Sequence, residues 1–111
     1  MKFKEDYGCI YISGSISGRS KEEAKAHFKS VQDCIEKATD IFVYNPMDFK
    51  KRESWEDYMR DALASLVDAD AILMLNGWEK SRGACIERTV AFQLNIPIYY
   101  EHQKPWDSFA N

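Results

Sequence analysis

Four short runs of almost unbroken apolar residues punctuate the chain: Gly8 to Ile12, Ile41 to Tyr44, Ala71 to Leu75 and Ile96 to Tyr100. A strand with one wet face alternates apolar and polar residues. Continuous apolarity over so few positions instead marks strands covered on both faces, as in a parallel sheet between helix layers. The intervening segments carry helical periods. Ser20 stands three places before Glu23, the spacing of a capping box, and Ala24, Phe28, Val31 and Ile35 then form one buried stripe. A second helix is predicted from Ser54, with Glu56 and Asp57 complementing the dipole in its first turn and a stripe of Met59, Ala62, Leu63 and Leu66. A third begins between Ser81 and Ala84, draws its buried face from Ala84, Val90, Ala91 and Leu94, and stops at Asn95.

Strands and helices therefore alternate, and each crossover must be right-handed for its helix to pack back on the sheet. The predicted class is α/β: a small doubly wound parallel sheet, flavodoxin- or Rossmann-like, with strand order 2-1-3-4 and three flanking helices. At 111 residues the chain has interior for one core, so residues 1–111 are read as a single domain.

Composition narrows the function. With 45% hydrophobic and 30% charged residues and no apolar run near the length of a membrane span, the chain reads as a globule with no membrane partner. No basic stretch followed by a long apolar one opens it, so a cytoplasmic location is expected. A net charge of −3 and the lack of a dominant Lys/Arg cluster argue against a nucleic acid polymer and for a small ligand. Cys9, Cys34 and Cys85 are odd in number and lack metal or redox spacing, and there are only two histidines, His27 and His102. Neither a metal site nor a cofactor is expected.

Ligands of such folds lie beyond the carboxyl ends of the strands, which pools the loops Ser13 to Arg19, Asn45 to Glu53 and Asn76 to Arg82 with the tail after the fourth strand. The first loop offers Gly14, Ser15, Ser17, Gly18 and Arg19 at the mouth of a capped helix. Its backbone N–H groups, hydroxyls and helix end suit a sugar or phosphate, although ligand-free turns share this composition. Pro46 to Glu53, which mixes a proline with Lys50, Lys51 and Arg52, is the longest irregular connection and is expected to be a mobile loop at the mouth of the site. Glu87 lies about one turn inside the third helix and leans back toward the site. It is either a pocket carboxylate, kept ionised by the helix dipole, or a dipole-compensating acid on a solvated face. Asp61 is a second carboxylate or a solvated helical acid. Asp70 reads as a backbone-binding acid at the start of the third strand. Trp78 and Tyr44 are base-stacking candidates or core and rim residues, and Trp106 is a packing anchor on this subunit or a neighbour.

The ordered set Tyr11-Ile12-Ser13-Gly14-Ser15-Ile16-Ser17-Gly18, Asn45-Pro46, Trp55-Glu56-Asp57-Tyr58-Met59-Arg60-Asp61, Gly77-Trp78-Glu79-Lys80-Ser81-Arg82-Gly83-Ala84 and Glu87 resembles the nucleoside 2-deoxyribosyltransferase superfamily, in particular its DUF4406 branch of short bacterial and phage proteins. The resemblance spans nearly the whole chain. It implies cleavage of the N-glycosidic bond of 2'-deoxynucleosides or their 5'-monophosphates, with Glu87 as nucleophile, Asp61 contacting and protonating the base, and Tyr11 positioning sugar and nucleophile. Gly14, Ser15 and Ser81 fall where nucleotide-hydrolysing members hold the 5'-phosphate. Ser17, Gly18, Arg19, Asn45, Trp78 and Gly83, from the same loops and motifs, complete the expected substrate-binding set.

Transferases acting on unphosphorylated nucleosides resemble this pattern with an aspartate at the place of Ser81. An aspartate repels a phosphate dianion and a serine donates to it, so the expected reaction is hydrolysis of 2'-deoxynucleoside 5'-monophosphates. The hydrolases have an arginine where this chain has Ser17, leaving Arg19 as the candidate replacement. The alternatives are base exchange by a transferase and a nucleotide-binding module without turnover. Because the chain ends soon after its fourth strand, while a nucleotide pocket encloses most of its ligand, a homo-oligomer is expected, with Trp106 and the second helix near the interface.

Overall fold

The computed structural model describes residues 2–109. Four strands, β1 (Cys9–Ser13), β2 (Phe42–Tyr44), β3 (Ala71–Met74) and β4 (Ile98–Tyr100), form one parallel sheet in the order β2-β1-β3-β4. The helices α1 (Lys21–Ala38), α2 (Trp55–Asp68) and α3 (Arg82–Gln93) make the crossovers.

Strand alternation divides the interior into two layers. Ile10 and Ile12 of β1 and Leu73 of β3 join Phe28, Val31 and Ile35 of α1 on one face. Tyr11, Ile72 and Met74 join Ala62 and Leu66 of α2 and Ala84 and Ala91 of α3 on the other. The apolar runs were unbroken because each strand feeds both layers. Each helix starts on a serine whose hydroxyl accepts an amide of its own first turn: Ser20 from Glu23, Ser54 from Asp57 and Ser81 from Ala84, at 3.0–3.1 Å. These caps replace N–H partners that a helix start otherwise lacks.

Several expectations are refined. β1 runs to Ser13, one residue beyond the apolar run, which makes Ser13 a strand residue rather than the start of a loop. α3 ends at Gln93, Leu94 is 55% exposed, and Glu87 takes a place between Ala84 and Ala91 on its buried stripe. The stop at Asn95 is real: its φ of 58° is left-handed backbone that ends the helix. Asp70 holds the sheet's start by accepting the amides of Gly8 and Cys9 at 2.6 and 3.0 Å. Trp106 is only 7% exposed and packs with Phe3 and Tyr99 in the chain's own core, while Phe3 donates its amide to Pro105 at 3.0 Å. Of the two readings of Trp106, the packing anchor on this subunit is the one the structure shows. No helix among the described residues is long and apolar enough to cross a membrane.

Candidate functional site

Tyr11 and Ser13 are two apart on β1, so both side chains leave the sheet on the face covered by α2 and α3. There they meet Glu87. The Tyr11 hydroxyl donates to Oε2 and the Ser13 hydroxyl to Oε1, both at 2.6 Å. These are short bonds, as expected where the acceptor is charged. Glu87 is 4% exposed, which separates the two readings of this residue: it is not on a solvated face. Burial pushes its carboxyl up to about 7, with the Ser13 and Tyr11 hydroxyls pulling the other way. The expectation that the helix dipole keeps it ionised is corrected. Glu87 lies beyond the first turn of α3, where the dipole has faded, and desolvation is the larger effect. Burial and then the Glu87 charge hold the Tyr11 hydroxyl well above its ordinary range, so it stays a donor.

Glu87 lines a cleft of about 630 Å³, a size suited to a small organic ligand. The loop between β2 and α2, the start of α2 and the start of α3 make its walls. Trp55 and Arg82, the first residues of α2 and α3, tie the two helix starts together, the guanidinium lying 4.5 Å from the indole centroid. Gly83 permits this approach, since a Cβ there would lie 3.1 Å from Met59 Sδ. Gly14 serves the first loop likewise, since a Cβ would lie 3.0 Å from Leu75 Cβ.

The structure brings Gly14, Ser17, Ser81, Gly83 and Glu87 together on the cleft, with Tyr11 behind Glu87. The remaining sequence-predicted residues are not on its lining. Ser15 and Arg19 staple the first loop: the Ser15 hydroxyl donates to the Ser17 carbonyl at 3.1 Å, and Arg19 Nε donates to the Ser15 carbonyl at 3.0 Å. Gly18 supplies the left-handed turn of that loop, with φ 83°. Asn45 is buried, accepting the Met47 amide at 2.9 Å and donating to Gln32 at 2.9 Å. Trp78 packs against Tyr100 and carries the Arg88 guanidinium 5.1 Å from its ring centroid. Tyr44 donates to Asp68 at 3.0 Å. Asp61 accepts from Arg52 Nη1 through both oxygens, at 2.7 and 2.6 Å, and each partner is 40% exposed.

Three groups escaped the sequence reading. Ser13 ends β1 where its sequence suggests loop, and its spacing of two from Tyr11 is the signal that puts both on one face. Tyr58 lines the cleft and lies one turn before Ala62. Burial, then the Glu87 charge, raises its hydroxyl well above the ordinary value, so it too remains a donor. The third is the gathering of cations, in which Lys21, Lys80 and Arg82 join the Lys50-Lys51-Arg52 run of the mouth loop, with only Glu53 and Glu87 as acidic lining residues. A formal excess of four positive charges thus lines the cleft of a chain whose net charge is −3. The Lys50-Lys51-Arg52 run is visible in the sequence; the fold adds Lys21, Lys80 and Arg82 to it.

A family model described as a domain of unknown function, DUF4406, matches residues 9–100. A 2-deoxyribosyltransferase from the psychrotolerant bacterium Bacillus psychrosaccharolyticus shares the fold, with a TM-score of 0.63 at 15% identity over 83% of this chain and 70% of that one. No curated protein matches the chain in sequence.

Proposed function

Given that the chain belongs to the DUF4406 family, we propose that it cleaves the base–sugar bond of 2'-deoxynucleoside 5'-monophosphates, with Glu87 as nucleophile. One observation carries the reading. The buried Glu87 carboxylate lines the cleft, held by two hydroxyls and without a cationic partner among the described residues. A purely structural buried carboxylate would gain from a partner charge, whereas a nucleophile needs unshared electron pairs aimed at open space. Likeness of fold to a 2-deoxyribosyltransferase supports the class of bond. The cationic lining and Ser81 support a phosphorylated sugar. Ser81 Oγ accepts the Ala84 amide, which leaves its O–H proton for a phosphate oxygen.

Loss of a base from 2-deoxyribose passes through an oxocarbenium-like state. A Glu87 oxygen bonds to C1' as the C1'–N bond breaks, and the bonding pair leaves with the base. The departing base takes a proton from Asp61, directly or through water, once Arg52 has released that carboxylate and it has taken up a proton from solvent. Water then adds to C1' and gives its proton to Asp61; the ester bond breaks, freeing deoxyribose 5-phosphate and the Glu87 carboxylate. Tyr11 and Ser13 hold the nucleophile in aim. A second copy of the chain walling the cleft is part of the proposal, and Trp55, on the cleft lining at the start of α2 and 37% exposed, offers it apolar surface.

The test is to incubate the protein with each deoxynucleoside monophosphate and chromatograph for free base. Base release that is lost in Glu87→Gln is the expected result. Tight binding with no free base at high enzyme and long times would overturn the hydrolase in favour of a binding module, and formation of a new nucleoside on adding a second base would turn it into a transferase. Light scattering under assay conditions should give a dimer or larger; a fully active monomer contradicts the second copy.

A further inference from the structure

At the proposed phosphate site, the two cations of the β3–α3 wall suffice to neutralise one phosphate. Lys80 and Arg82 flank Ser81, and a phosphomonoester carries about −1.5 to −2 at neutral pH. Lys21, Lys50 and Lys51 then remain on the lining of the same cleft, and none of them has a carboxylate partner among the ion pairs of the described residues. Arg52, beside them, is spent on Asp61. Like charges gathered in a cleft repel one another and focus a positive potential there, an arrangement that calls for a counter-charge. Ser54, on the same loop, keeps a hydroxyl proton to donate, because its oxygen accepts the Asp57 amide at 3.0 Å.

We infer that the cleft is built for a deoxynucleotide bearing more than one phosphoryl group, a 5'-diphosphate or 5'-triphosphate whose outer phosphates lie along Lys50 and Lys51. The inference rests on the proposed phosphate site at Ser81 and extends it. The bond cleaved is the same, and the second product is deoxyribose 5-diphosphate or 5-triphosphate in place of the monophosphate.

The experiment measures base release from each of the four deoxynucleosides as mono-, di- and triphosphate, with wild-type protein and with Lys50→Ala/Lys51→Ala. The expected result is a kcat/KM for the di- or triphosphate at least equal to that for the monophosphate. The double variant should lose at least fivefold more on the triphosphate than on the monophosphate. A monophosphate preference above tenfold, or an equal loss on both substrates, overturns the inference and leaves the monophosphate reaction standing. If no deoxynucleotide yields free base, the proposed reaction fails, and calorimetry of mono- and triphosphate binding to the wild-type protein decides the charge question alone. Tighter triphosphate binding that weakens in the double variant supports it; equal affinities overturn it.

Discussion

At the scale of the residue, Glu87 sets both the acid limb of activity and a stability cost. The nucleophile must be ionised, and its carboxyl sits near 7. In the free enzyme kcat/KM should therefore climb about tenfold per pH unit as pH rises toward 7. An acid limb near 4.5 would remove the burial account. Tyr11→Phe or Ser13→Ala takes away a donor that lowers this pKa, so the limb should move to higher pH as activity drops. The same shift predicts stability. Because the folded carboxyl lies above its unfolded value of 4.5, its contribution is fully present below that pH and is lost as pH rises toward 7. Removing the ionisable group should then stabilise the fold at pH 8. Glu87→Gln is expected to gain on the order of 1–3 kcal/mol there in denaturant melts, with the gain shrinking toward pH 5. A variant equally stable or weaker at pH 8 would refute this. Burial is also why the sequence left Glu87 open between pocket and solvent: its spacing to Ala84 and Ala91 fits the core stripe, but a carboxylate there is identified only by the two hydroxyls that β1 brings to it.

At the scale of the element, helix starts were the most legible feature, because a serine three residues before its amide partner is a local signal. All three caps stand where the spacing put them. The strand and helix order was equally legible, since unbroken apolarity reports burial on both faces. What escaped depended on contacts between elements. The end of α3 was overextended because Leu94 is apolar yet 55% exposed, and Asp61 gave no sign of the Arg52 partner that loop geometry brings to it. Ser81 has two duties that one substitution separates. Asp is as good an N-cap as Ser, so Ser81→Asp should keep stability within about 0.5 kcal/mol. Its charge, however, faces the phosphate, and like charges so placed cost several kcal/mol, enough to lower kcat/KM for the monophosphate about 100-fold relative to the unphosphorylated nucleoside. Thermal melts and paired assays check the two parts. An Asp variant that still prefers the monophosphate would mean that Ser81 only caps α3.

At the scale of the whole molecule, charge is arranged against composition. The chain carries −3 overall while its cleft lining carries an excess of four positive charges, so the rest of the surface is acidic. The balance of charge therefore favours an anionic ligand at the cleft over the rest of the surface. Such steering depends on unscreened fields, and the Debye length falls from about 30 Å at 0.01 M salt to about 10 Å at 0.1 M. Half of the cleft's cations are the Lys50-Lys51-Arg52 run of the loop before α2, and Lys21 of α1, Lys80 of the loop before α3 and Arg82 of α3 join it only through the fold. Raising sodium chloride from about 10 to about 200 mM should lower kcat/KM for a deoxynucleotide several-fold with kcat little changed, while any turnover of the uncharged deoxynucleoside stays flat. An equal salt response for charged and uncharged substrates would place the cations outside the path of the ligand. In that case the substrate preference would rest on Ser81 alone.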